Sequence, residues 1–132
     1  MHRSTASILL DCLSYTNQAE KTERLRRISA EEWQRVAELA QLHDVESLLY
    51  HIITSLKIAL PGNAAAQLMQ KSRNNLVWNA RLYRELHKLL RLLKEKDISV
   101  IVLKGAYLAE AIYENIGLRS MGDVDLLVKK DD

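Results

Sequence analysis

Between Asn63 and Lys96 the chain contains neither glycine nor proline, and alanine, leucine, arginine, lysine and glutamine dominate. Nothing in such a stretch stops a helix, and most of its residues are good helix formers. It predicts one long helix over 63–96, or two with a soft kink near Asn74-Asn75. Pro61-Gly62 just before it marks where the element can begin. Within it Leu82, Leu86, Leu89, Leu90 and Leu93 make an apolar face. Arg81, Arg84, Lys88 and Arg91 recur at 3, 4 and 3 residues and share another. A 132-residue chain must be built around so long an element.

The residues before it also read as helical. Ser29-Ala30-Glu31-Glu32 has the form of a capping box, in which Ser and the Glu three residues later satisfy each other's free backbone N–H groups. Trp33, Val36, Ala37, Ala40 and Leu42 follow it at helical spacing. A further short helix is expected from Val45 to Leu56, with Leu48, Leu49, Ile52, Ile53 and Leu56 as its buried stripe. Trp33, Trp78 and Cys12 are expected in the core. A lone cysteine excludes an internal disulfide and any cysteine-based metal site, which points to a reducing cytoplasm. His2, His43, His51 and His87 show no metal-ligand spacing. No apolar run approaches the roughly 20 residues of a membrane span.

The net charge of +2 hides an uneven distribution. Residues 71–96 hold 8 basic and 2 acidic side chains, whereas residues 97–132 hold 4 basic and 7 acidic ones. A basic stripe on a helix is most often its solvated side, though it can also lie along an acidic partner. With aromatic residues at 5% and no phenylalanine, a stacking platform for single-stranded nucleic acid is disfavoured.

At Asp97 the hydrophobic period changes. Ile98-Ser99-Val100-Ile101-Val102-Leu103 is a β-branched run, apolar on both faces, and predicts a covered strand. Lys104-Gly105 ends it. Ala106 to Asn115 reads as a helix with Leu108, Ala111 and Ile112 facing in, closed by Gly117. Asp123-Val124-Asp125-Leu126-Leu127-Val128 is the second strand. Asp123 and Asp125 at i and i+2 would point to one face, about two rises of ~3.3 Å apart, close enough to share a divalent ion. Hard oxygen ligands suit Mg²⁺, which completes its shell with waters and substrate phosphates. Spacing alone carries little, because Asp44/Glu46 and Glu95/Asp97 show it too. The third pair differs in lying within an apolar strand, where a carboxylate needs a cation or solvent.

The run 98–108, ending Leu103-Lys104-Gly105-Ala106-Tyr107-Leu108, and the later Leu118-Arg119-Ser120-Met121-Gly122-Asp123-Val124-Asp125-Leu126-Leu127-Val128 together resemble the polymerase-beta-like nucleotidyltransferase superfamily. They are most similar to its bacterial branch of uncharacterised nucleotidyltransferases. His43-Asp44-Val45 and Leu48-Leu49-Tyr50 are similar to that branch's N-terminal helices. The resemblance implies that Asp123 and Asp125 are catalytic and bind Mg²⁺ bridging a nucleoside triphosphate. It implies phosphate contacts from Gly105 and Ala106 through backbone N–H groups at a helix N-terminus, and from Lys104, Arg119 and Ser120. Ala106 stands where the family more often has a serine or glycine, so a hydroxyl donor is missing. A solvated strand-end lysine is the plain alternative for Lys104, and an ion pair with Asp123 or Asp125 for Arg119.

The fold expected is therefore mixed α/β (α+β): a mainly helical region 1–97, then a truncated β-α-β nucleotidyltransferase core over 98–132. The full-length activity implied is Mg²⁺-dependent transfer of a nucleoside monophosphate to a hydroxyl acceptor. The family's third carboxylate belongs to a later strand, and Asp131 and Asp132 do not replace it. The chain is accordingly expected to be a fragment that does not turn over alone. Unpaired strand edges further suggest a homodimer or higher oligomer. The rival reading is a non-catalytic module whose basic helix 71–96 docks an acidic partner.

Overall fold

The computed structural model describes residues 4–15 and 17–130. Asp131, Asp132 and His2, considered above, lie outside them. Eight elements follow in order: α1 Thr5–Leu13, α2 Gln18–Arg26, α3 Ala30–Leu42, α4 Glu46–Ser55, α5 Gly62–Glu95, β1 Val100–Leu103, α6 Lys104–Ala111 and β2 Asp125–Val128. The class is mixed α and β, mainly helical, with one two-stranded antiparallel sheet. No helix among the described residues is long and apolar enough to cross a membrane. The chain forms two compact units, Met1–Ser72 and Arg73–Asp132, with the division inside α5.

In the first unit, side chains that accept backbone N–H groups start α1, α2 and α3, whereas α4 begins at Val45 without one. Ser4 accepts from the Ser7 amide and Asn17 from that of Ala19. Ser29 and Glu32 complete the capping box in both directions, as the sequence indicates. Leu25, Trp33, Val36, Leu49, Ile53 and Leu68 are buried together with Cys12, each such side chain contributing roughly 1.5–3 kcal/mol on leaving water. Burial pushes the Cys12 thiol up to about 12, which leaves it an inert core residue. Two cations near this core are partnered, although Glu46 Oε2 is buried without a hydrogen-bond partner among the described residues. The buried Lys21 donates from Nζ to the Ser14 carbonyl at 2.8 Å, and Arg24 grips the Asp11 carboxylate through Nε and Nη2 at 3.1 and 2.7 Å.

Three helices end alike. Asp44, Lys57 and Asp97 each take a left-handed φ between 53 and 58° just past α3, α4 and α5. The following amide then reaches back five residues, from Val45 to Ala40, Ile58 to Ile53 and Ile98 to Leu93. Glycine is the usual occupant of such a stop. None of these three positions has it.

The second unit is smaller. Tyr83 and Leu86 of α5 meet Ala106 and Ala109 of α6, with Met121 completing the buried set. Val102, Val124 and Leu126 pack against it from the strands and the approach to β2. β1 and β2 pair in the register Val100↔Val128, Ile101↔Leu127, Val102↔Leu126 and Leu103↔Asp125.

Several expectations change here. α5 is one continuous helix with no break at Asn74-Asn75. Its buried face includes Leu86 of the leucine stripe, with Leu82 and Leu90 packed against the same cluster, but it also takes in Asn79 and Tyr83, while Leu89 and Trp78 are exposed. β1 is uncovered on one side, Ile101 being 59% exposed, because the sheet has α6 on one face only among the described elements. α6 begins at Lys104 and ends at Ala111, short of Gly117. It presents Ala106 and Ala109 to the core instead of Ala111 and Ile112, since the close approach of Tyr83 and Met121 admits only small side chains. β2 begins at Asp125, so Asp123 precedes the strand. The cause is opposite it: β1 turns into α6 at Lys104, leaving residues 123 and 124 no strand to pair with.

Candidate functional site

The candidate residues gather where the sheet runs out. Leu103↔Asp125 is the last pair of the ladder, so Asp125 stands directly across from the point where β1 becomes α6. Lys104, the next residue, turns back in a left-handed conformation with φ 51°. Its Nζ lies 3.1 Å from Asp125 Oδ2, with the lysine 72% and the aspartate 37% exposed. Arg119 makes no such pair with either carboxylate, so the cation beside Asp125 is the lysine. Asp123 is exposed two residues away, while Val124 between them turns into the core.

Gly105 follows Lys104 in the first turn of α6, and its own φ lies outside the left-handed region. Its need to be small comes from neighbours. A Cβ there would sit 3.3 Å from Met121 Cγ and 3.5 Å from Arg119 Nε. The arginine thus lies against the start of the helix, and its buried Nε has no hydrogen-bond partner among the described residues. Ala106 is buried, which leaves its backbone rather than its side chain to serve any ligand. Ser120 is exposed beside Arg119.

The segment between α6 and β2 has no regular secondary structure, and α5 supplies its partners. Asn75 Nδ2 donates to the Gly117 carbonyl at 2.7 Å, and Trp78 Nε1 to that of Met121 at 2.9 Å. Asn79 Nδ2 donates to the carbonyls of Ile116 and Arg119, the latter at 2.7 Å. The Tyr83 hydroxyl donates to the Ala106 carbonyl. Burial, and secondarily Glu110, raises the tyrosine's pKa, so it stays a neutral donor. The Asn115 side chain closes the turn locally by accepting from the Gly117 amide at 2.9 Å. From the sequence, Asn75 is expected at a kink and Trp78 in the core, while Asn79 and Tyr83 carry no expectation. The signal for the tethers is that Asn75, Asn79 and Tyr83 recur every four residues on one helical face.

Asp125 sets a carboxylate beside the Lys104 ammonium, and Asp123 carries an exposed carboxylate two residues before it; both are the hard oxygen donors a divalent cation takes. The ammonium is a stand-in positive charge, and Mg²⁺ commonly takes one or two carboxylates plus water and phosphate oxygens. No group of three His, Cys, Asp or Glu side chains comes together among the described residues.

Compared with protein families, residues 29–132 match the family described as uncharacterised nucleotidyltransferase. Neither the curated proteins nor the solved structures gave a match. A nucleotidyltransferase acts on a nucleoside triphosphate and generally uses a divalent metal.

Proposed function

The chain belongs to the family of uncharacterised nucleotidyltransferases, and from that premise we propose that its second unit binds a Mg²⁺-nucleoside triphosphate for transfer of the nucleoside monophosphate to a hydroxyl acceptor. The observation that carries this reading is the register Leu103↔Asp125, which sets a carboxylate beside the first turn of α6 and the Lys104 ammonium. Asp123 and Asp125 would hold the metal, which when bound neutralises the triphosphate and makes its α-phosphorus open to attack. Lys104 and Arg119 orient phosphate oxygens, with Ser120 and the backbone N–H groups of Gly105 and Ala106 as further donors. In the transfer the acceptor oxygen bonds to the α-phosphorus as the bond to the β-bridging oxygen breaks. Pyrophosphate leaves, and the acceptor's proton passes to solvent or to a base.

Calorimetric titration with ATP, GTP, CTP and UTP, with and without Mg²⁺, tests the binding half. At least one should bind only with the metal, and Asp125→Asn should weaken it by about ten-fold or more, as lost metal ligands do. Asp123→Asn should act in the same direction. Unchanged affinity in both variants, or no binding by the unaltered chain, would overturn the proposal.

A further inference from the structure

Asn79 is fully buried in the middle of α5, with exposed Trp78 and Ala80 on either side of it in sequence. An amide is a poor filler for an apolar core, since burying it costs free energy unless it is bonded. Its NH₂ group meets that condition by bonding two carbonyls, those of Ile116 and Arg119, three residues apart in the same turn. No aliphatic side chain could do this. Its Oδ1 is buried without a partner among the described residues, so the amide is held for its donors alone.

The carbonyl that Asn79 holds belongs to Arg119, whose side chain lies over Gly105. Beside Asn79 in sequence, Trp78 fixes Met121, just beyond Arg119, and one turn on, Tyr83 fixes Ala106 at the start of α6. The backbone of Arg119 is thereby fixed while its guanidinium Nε keeps an unspent donor. A long side chain on an irregular segment would otherwise pay ordering entropy each time it met a ligand. Anchoring its backbone from a helix removes part of that cost.

From this we infer that Asn79 is a positioning residue for the nucleotide site: its buried amide sets the backbone of Arg119 so that the guanidinium meets the triphosphate at the start of α6. The inference rests on the binding reading above and deepens it. Asn79 itself touches no phosphate.

A double-mutant cycle read by binding affinity tests it, with Mg²⁺ and, as probes, the preferred nucleoside triphosphate and inorganic triphosphate. Asn79→Leu and Arg119→Ala should each weaken binding about ten-fold. The double variant should be little worse than either, because an arginine set loose has already lost its contribution. Leu86→Ala, which opens the same core without touching a carbonyl, should combine additively with Arg119→Ala. If Asn79→Leu does not fold, Trp78→Phe takes its place; it loses only the bond to the Met121 carbonyl at a half-exposed position, and should show the same non-additivity on a smaller scale. Additive losses, unchanged binding in the positioning variant, or equal non-additivity for Leu86→Ala would each overturn the inference while leaving the site reading intact. Failure of the unaltered chain to bind any probe would overturn both.

Discussion

Among the described residues of Met1–Ser72 thirteen apolar or thiol side chains are buried in one cluster, and the hydrogen bonds there are largely helix caps and surface pairs. Among those of Arg73–Asp132 the corresponding cluster has five members, and side chains of α5 hold at least five main-chain carbonyls between residues 106 and 121. The first unit is ordered by burying area. The second is ordered by hydrogen bonds to a segment that has no ladder of its own. Hydrophobic burial is non-directional, so it fixes that residues are inside but leaves their exact rotations to packing. Donors aimed at named carbonyls fix a backbone to a few tenths of an ångström, which is what a phosphate-binding segment requires.

The comparison can be broken most directly at Leu49. It is fully buried in the first cluster, and Leu49→Ala should cost about 3–4 kcal/mol, the transfer loss plus the cavity. The two tryptophans give a readout for each unit, Trp33 lying in the first and Trp78 in the second. With 5-fluorotryptophan incorporated, urea unfolding followed by ¹⁹F NMR yields one line from each. The Trp33 line should shift its midpoint strongly and the Trp78 line much less. Equal shifts would mean that the shared helix α5 makes one cooperative system, and the contrast would have no energetic meaning.

The same contrast decides what could be read from the sequence. Where area does the work, periodicity suffices: the Ser29 capping box, the Leu49 and Ile53 stripe and the buried Trp33 all stand where the spacing puts them. The ends of α4 and α5 fall within a residue of where the sequence puts them, although Asp44, Lys57 and Asp97 occupy left-handed stops without the glycine that usually marks one. In the second unit periodicity is right only in part. The leucine pattern places Leu86 in the core and Leu82 and Leu90 against it, but it also counts Leu89 and gives no sign of Asn79, because a buried amide has no hydropathic signal and its partners lie about forty residues on. The motif around Asp123 and Asp125 was visible as a motif. Its geometry was not, because the start of β2 is decided by where β1 stops pairing.

A second test sharpens the role of the tethers. Tyr83→Phe keeps the ring in the core and removes one hydroxyl, and with it the tether to the Ala106 carbonyl, which stays within helix α6. The expected cost is about 0.5–1.5 kcal/mol, the net range for one lost hydrogen bond. It should appear in the Trp78 line and spare the Trp33 line. A loss below about 0.5 kcal/mol would show that water replaces the hydroxyl readily and that the tethers matter less than the small apolar cluster around them.

The smallest effect is expected where the second unit departs furthest from ordinary backbone. Lys104 is a non-glycine residue at φ 51° that opens a helix instead of closing one. A left-handed conformation costs an L-residue roughly 1 kcal/mol or more, which glycine does not incur. Against that gain, Lys104→Gly loses an exposed ion pair with Asp125, worth about 0–1 kcal/mol, and gives the unfolded chain more freedom. The sum should leave stability within about 1 kcal/mol of the unaltered chain. Lys104→Met loses the ion pair and keeps the strain, so it should be the less stable of the two by an amount that isolates the backbone contribution. Both remove the ammonium that a divalent ion would have to displace from Asp125. Mn²⁺ affinity, measured by paramagnetic resonance without nucleotide, should therefore rise a few-fold in both. Triphosphate affinity in the presence of metal should fall in both, because the same ammonium is then free to meet phosphate. A fall in Mn²⁺ affinity would show that Lys104 shapes the carboxylate site through its backbone turn and not by occupying it.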